Sequence, residues 1–496
     1  MMCLFYVAGA RALRRLLREA GRASIEDTDV TRPVSKRVLI VGAGDTAEHL
    51  IREIRAVHRA RLELVGTVDD NPPTQHMRIH GVEVLGNIDQ LPALSSSLAI
   101  DEIFVALPSA TPSQCARVMQ KLRESSVPVR TVPTLQELLS GKRITHLSHV
   151  GPEDLLDRRP VTVSVGLKRD IDGKRVLVTG AGGSIGGELA RQLALLSPEL
   201  LVLYDRAESS VYYLQTELAR QRPDLSVIPV VGDILDRALV REVMQRCSPH
   251  FVYHAAAYKH VPLMEDSPLE TIRNNVIGTE NVAEEAEAAG VKTFVLISTD
   301  KAVKPVGVMG KTKRLAELLI STLQSAETAF CAVRFGNVLG SNGSVLPLFQ
   351  WQISNGGPVT ITDREAARYF MLIAEAARLV LQAGSIGRGG EVFFLDMGEP
   401  VKVVDLAQDL IRLSGYSPGR DIAVTTIGLR PGERLREQLV LESEELRASA
   451  CEKIWITSGS PDLSGFRDEL DALKVLLDER NAGAAVQLLN EMATRY

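Results

Sequence analysis

An α/β protein with two Rossmann-like parallel-sheet units is what this sequence predicts, and three observations carry that reading. Two separate segments run from a β-branched stretch through glycines into helical periodicity: RVLIVGAGDTAEHLIREI at Arg37–Ile54 and KRVLVTGAGGSIGGELARQL at Lys174–Leu193. After each, short apolar runs alternate with amphipathic stretches, the pattern of parallel strands covered on both faces by helices. The chain has 496 residues, 45% of them apolar, enough for two or three domains with sizeable cores.

Taken in order, residues 1–35 form a basic amphipathic segment. MMCLFYVAGA is apolar, and RALRRLLREAGR follows it with Arg11, Arg14, Arg15, Arg18 and Arg22 between leucines. A spanning helix needs about 20 apolar residues, so this run is too short to cross a bilayer. No small-residue cleavage site follows, which argues against a secretory signal. Residues 1–22 either rest on the inner face of the plasma membrane or pack on the next domain.

Residues 36–150 form the first unit. Its strands are RVLIVG, LELVGTVDD, EIFVAL and VPVRTVP, with PSQCARVMQKLRES the clearest helix. The connector 151–172 lacks a period and is rich in charge and proline.

The second unit, 173–445, carries the strands RVLVTG, LLVLYD, SVIPVVGD, FVYHAAA, TFVLIST and FCAVRFG. Beyond about Asn337 the pattern loosens into glycine- and proline-rich loops and short helices, read as a substrate lobe closing over the sheet. Residues 446–496 read as a helical tail.

A net charge of −5 argues against a nucleic-acid partner. The five cysteines, Cys3, Cys115, Cys247, Cys331 and Cys451, are scattered and contain no CxxC. That pattern fits no disulfide framework and no zinc site, and it suits a reducing cytoplasm. No metal site is expected.

In TGAGGSIG, Gly180, Gly183 and Gly186 let a turn tighten and a pyrophosphate approach the start of a helix at Ser184 and Ile185. Asp205 ends the next strand, 25 residues after Gly180, where an acid holds a ribose. Asp205 favours NAD, whereas Arg206 suits the extra phosphate of NADP, so the cofactor is NAD(P)+ with NAD slightly favoured. Asp233 and Ile234, ending the third strand, stand on the adenine side. In the first unit Gly42, Gly44 and Ala47 suit a similar turn and Asp69–Asp70 end the following strand, but its ligand stays open.

The strand TFVLIST delivers Ser298, Thr299, Asp300 and Lys301 at its carboxyl end, where open parallel sheets hold ligands. In VMGKTKRLAELL, Met309 and Lys313 are at i and i+4 and share a helix face. One patch thus collects a hydroxyl, a carboxylate, two amines and a thioether.

TGxxGxxG, NNVIGT at Asn274–Thr279 and a lysine one turn beyond a special position resemble the extended short-chain dehydrogenase/reductases. STDKAVKPVGVMGKTKR, HAAAYKHVPLME, RFGNVLGSNGSVLPLF and GLRPGERLREQL resemble the large, membrane-type nucleoside-diphosphate-sugar 4,6-dehydratases of bacterial polysaccharide and glycan assembly, the CapD-like group. The similarity runs from about Arg37 to Glu445. Better-known relatives carry four N-terminal transmembrane helices and act on UDP-N-acetylglucosamine. This chain lacks those spans, and its first 22 residues read as what remains after them.

The resemblance implies a hydro-lyase. Hydride leaves C4 of the sugar for NAD(P)+, and the ketone acidifies C5–H. Lys301, given a lowered pKa, removes that proton, while Asp300, when protonated, donates to the departing O6; the hydride then returns to C6. Thr299 bonds O4 and Lys313 holds the nicotinamide ribose. Met309 stands where most of the superfamily has tyrosine, and it marks the subgroup. The acceptor of the O4 proton is left between Asp300 and water. Lys259 approaches the substrate, Asn337 contacts it, Arg430 and Glu433 grip the UDP moiety, and Arg364 is a second diphosphate candidate. Relatives often carry a hydroxyl residue where Ala367 stands. The implied product is a 4-keto-6-deoxy sugar nucleotide with retention at C5, made from a UDP-sugar by a cytoplasmic homo-oligomer. The rival readings are a UDP-sugar 4-epimerase and a non-catalytic nucleotide-binding regulator of polysaccharide assembly.

Overall fold

The structure, a computed structural model, describes residues 35–57, 62–74, 77–107, 112–125, 127–131, 165–323, 327–414, 416–440, 444–458 and 462–496. Residues 1–34, with the expected membrane contact and Cys3, lie outside the described residues, as does the connector from 151 to 164.

The first unit is a six-stranded sheet. Its strands are β1 (Lys36–Val41), β2 (Leu62–Val68), β3 (Arg78–Ile79), β4 (Val82–Gly86), β5 (Glu102–Val105) and β6 (Val129–Thr131), in the order β3-β4-β2-β1-β5-β6. All pairs are parallel except the small β3–β4 hairpin, which the sequence reading passed over. Helix α1 (Asp45–Val57) follows β1 directly. Val38, Leu39, Ile40 and Val41 are all fully buried, as expected of a central strand covered on both faces.

The second unit begins earlier than the sequence reading placed it. Val165–Ile171, read there as connector, is a helix. Leu167 and Ile171, four residues apart and so on one face, enter the main core, and this short pair is too little for a visible period.

The larger sheet starts with β7 (Arg175–Thr179), followed by helix α2 (Ser184–Ala194). Next come β8 (Leu200–Asp205), β9 (Val227–Val231) and β10 (Phe251–His254), then the short helix α3 (Val261–Glu265). The helical run after α3 contains a π-turn at Arg273–Ile277 that buries Asn274 and Asn275. β11 (Thr293–Ile297), helix α4 (Val308–Thr322) and β12 (Ala329–Arg334) follow.

The substrate lobe contributes three small pairs. These are β13 (Asn337–Leu339) with β16 (Phe370–Leu372), β14 (Val359–Ile361) with β19 (Val424–Thr426), and β15 (Ala367–Arg368) with β18 (Val401–Lys402). The lobe has its own core of Leu346, Phe349, Ile353, Phe370, Leu406 and Leu410. Leu413, ending the lobe helix Val403–Leu413, joins a core cluster of the first unit.

β17 (Val392–Leu395) extends the main sheet in parallel, and β20 (Glu445–Ala448) and β21 (Ile454–Ser458) close it antiparallel, giving the order β20-β21-β17-β12-β11-β10-β7-β8-β9. This corrects the reading of 446–496 as helical throughout. IWITS has the strand period of two, with Ile454 and Ile456 on the core and Trp455 outward, and it pairs with β17. The tail's helices are α5 (Phe466–Asp478) and α6 (Ala482–Arg495). Cys247 and Cys331 are buried and Cys451 is half-buried, all as free thiols.

Among the described residues, no helix is long and apolar enough to cross a membrane. No group of three His, Cys, Asp or Glu there is arranged to hold a metal ion.

Candidate active site

The carboxyl ends of β7, β8, β10 and β11 meet at one edge of the larger sheet. Gly180, just past β7, has φ +67°, and a Cβ there would lie 2.6 Å from the Ala256 nitrogen. Gly186 is pressed harder, since its Cβ would fall 2.1 Å from the Gly180 carbonyl oxygen. Only glycine lets α2 come this close to β7. Gly183 caps α2 without a side-chain bond, so the helix start keeps donors and positive potential for an anion.

Asp205 is fixed beside this cradle. Its Oδ2 accepts from the Gly182 amide at 2.9 Å and its Oδ1 from Ala207 at 2.8 Å. The Arg206 guanidinium lies 4.6 Å over the Tyr258 ring and 3.6 Å from Asp233 Oδ2. Ile234 is buried and leaves no room for a side chain at Gly278. Ser184 Oγ accepts from the Asn342 amide at 3.0 Å, which ties the lobe to the cradle. A turn that only glycines fit, at a helix start with a fixed acid beside it, suits a dinucleotide.

The first unit repeats part of this device. Gly42 has φ +108°, and the Ala43 amide donates to Asp69 Oδ2 at 2.6 Å. Asp70 is engaged elsewhere, with Arg117 at 2.9 Å and the Ile88 amide at 3.0 Å.

β11 feeds the chemistry-bearing turn. Thr299 caps the single 3-10 turn Asp300–Ala302, accepting from the Lys301 amide at 3.3 Å and donating to Asp300 Oδ1 at 2.9 Å. Asp300 is fully buried; its Oδ2 has no hydrogen-bond partner among the described residues. Lys301 Nζ lies 2.9 Å from Asp300 Oδ1, 3.0 Å from Asn337 Oδ1 and 3.7 Å from Glu437 Oε1.

The sequence reading required a lowered Lys301 pKa, and here the structure corrects it. Burial does push the amine down, but the carboxylates of Asp300 and Glu437 outweigh burial and hold it above the ordinary lysine value.

Helix α4 is pressed onto that turn. Gly310 makes the approach feasible, because a Cβ there would meet the Lys301 carbonyl oxygen at 2.3 Å. The helix start is held by Glu265 of α3, which accepts from the Val308 amide at 2.6 Å. Met309 and Lys313 are both buried. Burial lowers the Lys313 amine to about 8, partly offset by Glu317. Near it, His254 bridges the hydroxyls of Thr179 (2.7 Å) and Thr279 (3.0 Å). Burial, with Lys313 adding to it, takes this imidazole down to about 3, so it is neutral.

The expected substrate residues divide. Asn337 is in the cluster. Arg430 pairs with Glu433 at 2.6 Å on an exposed loop. Lys259 and His260 share that side, and the His260 imidazole is lowered by burial, by Lys259 and by Arg430. Arg364 is exposed on the turn after β14, with no ion pair to the cleft among the described residues.

Glu437, Arg368, Glu265 and Gly310 were missed. Glu437 and Arg434 line the cleft with Lys301, Gly307 and Gly310. Arg368 donates to the carbonyls of Ala367, Leu435 and Arg434 at 2.7–2.9 Å, and its Nε is 3.8 Å from Glu437. GLRPGERLREQL carries a family resemblance, yet nothing in it says that its second acid, Glu437, turns inward.

Comparison with known proteins adds the following. The family described as polysaccharide biosynthesis protein matches residues 176–458, and a CoA-binding domain family matches residues 1–133. The chain is 44% identical over 461 residues to the capsular polysaccharide biosynthesis protein CapD of Staphylococcus aureus, covering 92% of this chain and 76% of that one. It is 33% identical over 273 residues to a UDP-N-acetylglucosamine 4,6-dehydratase (inverting) of Campylobacter jejuni, covering 54% of this chain and 77% of that one. A UDP-glucose 4-epimerase of Rickettsia canadensis is 34% identical over 285 residues, covering 55% and 80%.

Proposed function

The chain belongs to the CapD-like polysaccharide biosynthesis proteins of the extended short-chain dehydrogenase/reductase superfamily, a nucleotide-sugar dehydratase/epimerase group, and from that premise we propose that it is a 4,6-dehydratase of UDP-N-acetylglucosamine. One observation carries the choice of dehydration. A buried carboxylate and an amine, Asp300 and Lys301, stand 2.9 Å apart at the end of β11 beside Asn337. Moving a hydride on and off C4 needs no such pair. Elimination across C5–C6 needs both a base and an acid.

A nicotinamide dinucleotide bound in the cradle supplies reversible acceptance of a hydride. Asp205 receives its ribose. Arg206 is occupied by Tyr258 and Asp233, which supports NAD over NADP. Lys313, close to the neutral His254, would hold the nicotinamide ribose.

The proton route follows from what each group is able to carry. Met309 is buried and has no proton to exchange. The O4 proton therefore goes to Asp300, whose Oδ2 has no hydrogen-bond partner among the described residues. Asp300, now an acid, passes that proton to O6 as water leaves. Lys301 removes the C5 proton and later restores it. Thr299, which donates to Asp300 Oδ1, fixes the orientation of that carboxyl. Arg430 and Glu433 take the UDP end, with Lys259 nearby; arginine's planar fork suits a diphosphate.

Incubation with UDP-N-acetylglucosamine in heavy water tests this. The expected product is lighter by one water and carries solvent deuterium at C5. An isomer of unchanged mass would replace the proposal with epimerisation.

A further inference from the structure

A lysine is a base only after it has lost a proton, and the surroundings of Lys301 work against that loss. Three oxygens face its three ammonium hydrogens: Asp300 Oδ1, Asn337 Oδ1 and Glu437 Oε1. Something must take the resting proton before C5–H is attacked. Asp300 is already engaged, since the route above loads it with the O4 proton. The Asn337 amide does not accept a proton at neutral pH. Glu437 remains. Its side chain is 6% exposed, so water competes poorly for Lys301 from that direction.

Resting on the dehydratase reading, we propose that Glu437 is a positioning residue that takes the resting proton of Lys301 at the start of each turnover and returns it at the end. The protons balance. At rest Lys301 is an ammonium, and Asp300 and Glu437 are carboxylates. The O4–H bond breaks and Asp300 gains the proton. With one anion neutralised, an N–H bond of Lys301 breaks and an O–H bond forms on Glu437.

The neutral amine then takes the C5 proton, the C5–H electron pair forms the C5–C6 double bond, and C6–O6 breaks. O6 leaves as water with the proton from Asp300. The hydrogen that left C4 as hydride returns to C6, Lys301 gives its proton back to C5, and Glu437 returns the proton it took. One water is lost and every side chain ends as it began.

Two features of the geometry support this role. The 3.7 Å separation is a poised contact that need only shorten to about 2.9 Å when substrate closes the cleft. Arg368 stands 3.8 Å from Glu437 on its other side, held by three backbone carbonyls. Its positive charge favours the return of Glu437 to the anion, which keeps the proton's stay short.

The test isolates the step. The 4-keto-6-deoxy product already has its ketone, so C5–H exchange in heavy water needs the Lys301 base without net hydride transfer. Full-length protein with bound cofactor is given that product, and deuterium at C5 is followed by mass spectrometry. Each comparison is repeated in an Asp300→Asn background, because Asp300 carries no O4 proton in this assay and its free carboxylate, 2.9 Å from the Lys301 amine, would otherwise accept in place of Glu437. Wild type exchanges and Lys301→Met does not. Glu437→Gln exchanges about 10²-fold more slowly at neutral pH, binds the product by calorimetry within a few-fold of wild type, and recovers as pH rises and hydroxide strips the amine. Glu437→Asp restores part of the rate.

The sign of the change is decisive. Asp300, Glu437 and Arg368 are the charged groups around the Lys301 amine. If Glu437 merely supplied charge, its removal would ease deprotonation and speed exchange at neutral pH. Exchange by Glu437→Gln at or above the wild-type rate therefore overturns the proposal and leaves dehydration standing. A wild-type protein that neither dehydrates UDP-N-acetylglucosamine nor exchanges the product's C5–H ends both.

Discussion

Lys313 shows how one buried charge links catalysis to stability. Its amine is lowered from 10.5 to about 8 because it sits inside α4 with little water. The unfolded chain, with an ordinary lysine, binds more protons than the folded one between those two values. Stability from this group must therefore rise with pH across the window from about 8 to about 10.5, by up to about 3 kcal/mol. Below about 8 both states carry the charge, and the burial cost is present in full. Lys313→Met removes the titration. Chemical denaturation at neutral pH and near pH 10 should show a wild-type-minus-variant difference that moves in favour of wild type as pH rises. A difference that stays flat would mean that Lys313 is hydrated in solution. The same group is expected to bind the nicotinamide ribose, so Lys313→Met should also weaken cofactor retention.

The elements that carry the site are held by a charged network beneath it. Arg334, at the end of β12 and fully buried, bonds Glu317 of α4 through two nitrogens at 2.7 and 2.8 Å and Glu444 before β20 at 2.8 Å. Glu317 also accepts from Ser298 at 2.5 Å, so the residue before Thr299 is pinned to the catalytic helix. Arg334→Met strands two buried carboxylates and should cost about 3–5 kcal/mol, read as a lower denaturant midpoint. Adding Glu317→Leu should restore part of it. A double variant no better than the single would place the loss in packing.

How much was legible follows from what each element depends on. The strands β7 to β12 were readable because they are largely apolar runs, four of them leading into a glycine or an acid, a local signal. The Thr299–Asp300–Lys301 turn and the Met309–Lys313 face were readable from their order along the chain. Helix Val165–Ile171 and strands β20 and β21 were not, since each is fixed by what it packs or pairs with. Glu437 was hidden for the same reason: only the fold of the lobe brings a residue 136 positions after Lys301 against its amine. The direction of the Lys301 shift depended on that unseen neighbour.

At the scale of the molecule, the catalytic helix is a core element shared between the sheet and the chain's last segment. Leu315, Leu318 and Leu319 of α4 and Ile272 and Val276 of the π-turn region form one cluster with Phe466, Leu470, Leu473 and Leu477 of α5 and Leu489 and Met492 of α6. Polar ties reinforce it: Arg314 donates to the Tyr496 carbonyl at 2.7 Å, and Glu280 meets Lys474 at 2.8 Å and Arg467 at 3.2 Å. None of α5 or α6 lines the cleft, yet together with Ile272 and Val276 they cover one face of α4. Leu473→Ala leaves a cavity in this cluster and should cost about 2–5 kcal/mol, lowering Tm by roughly 3–7 °C for a unit of this size. Because the cavity opens behind α4, the temperature at which activity is lost should fall by as much as Tm does. At low temperature the kcat should stay near wild type, since the Lys301 contacts are untouched. If α5 and α6 were a detachable appendage, Leu473→Ala would lower the stability of the tail alone, and activity would survive to the wild-type temperature.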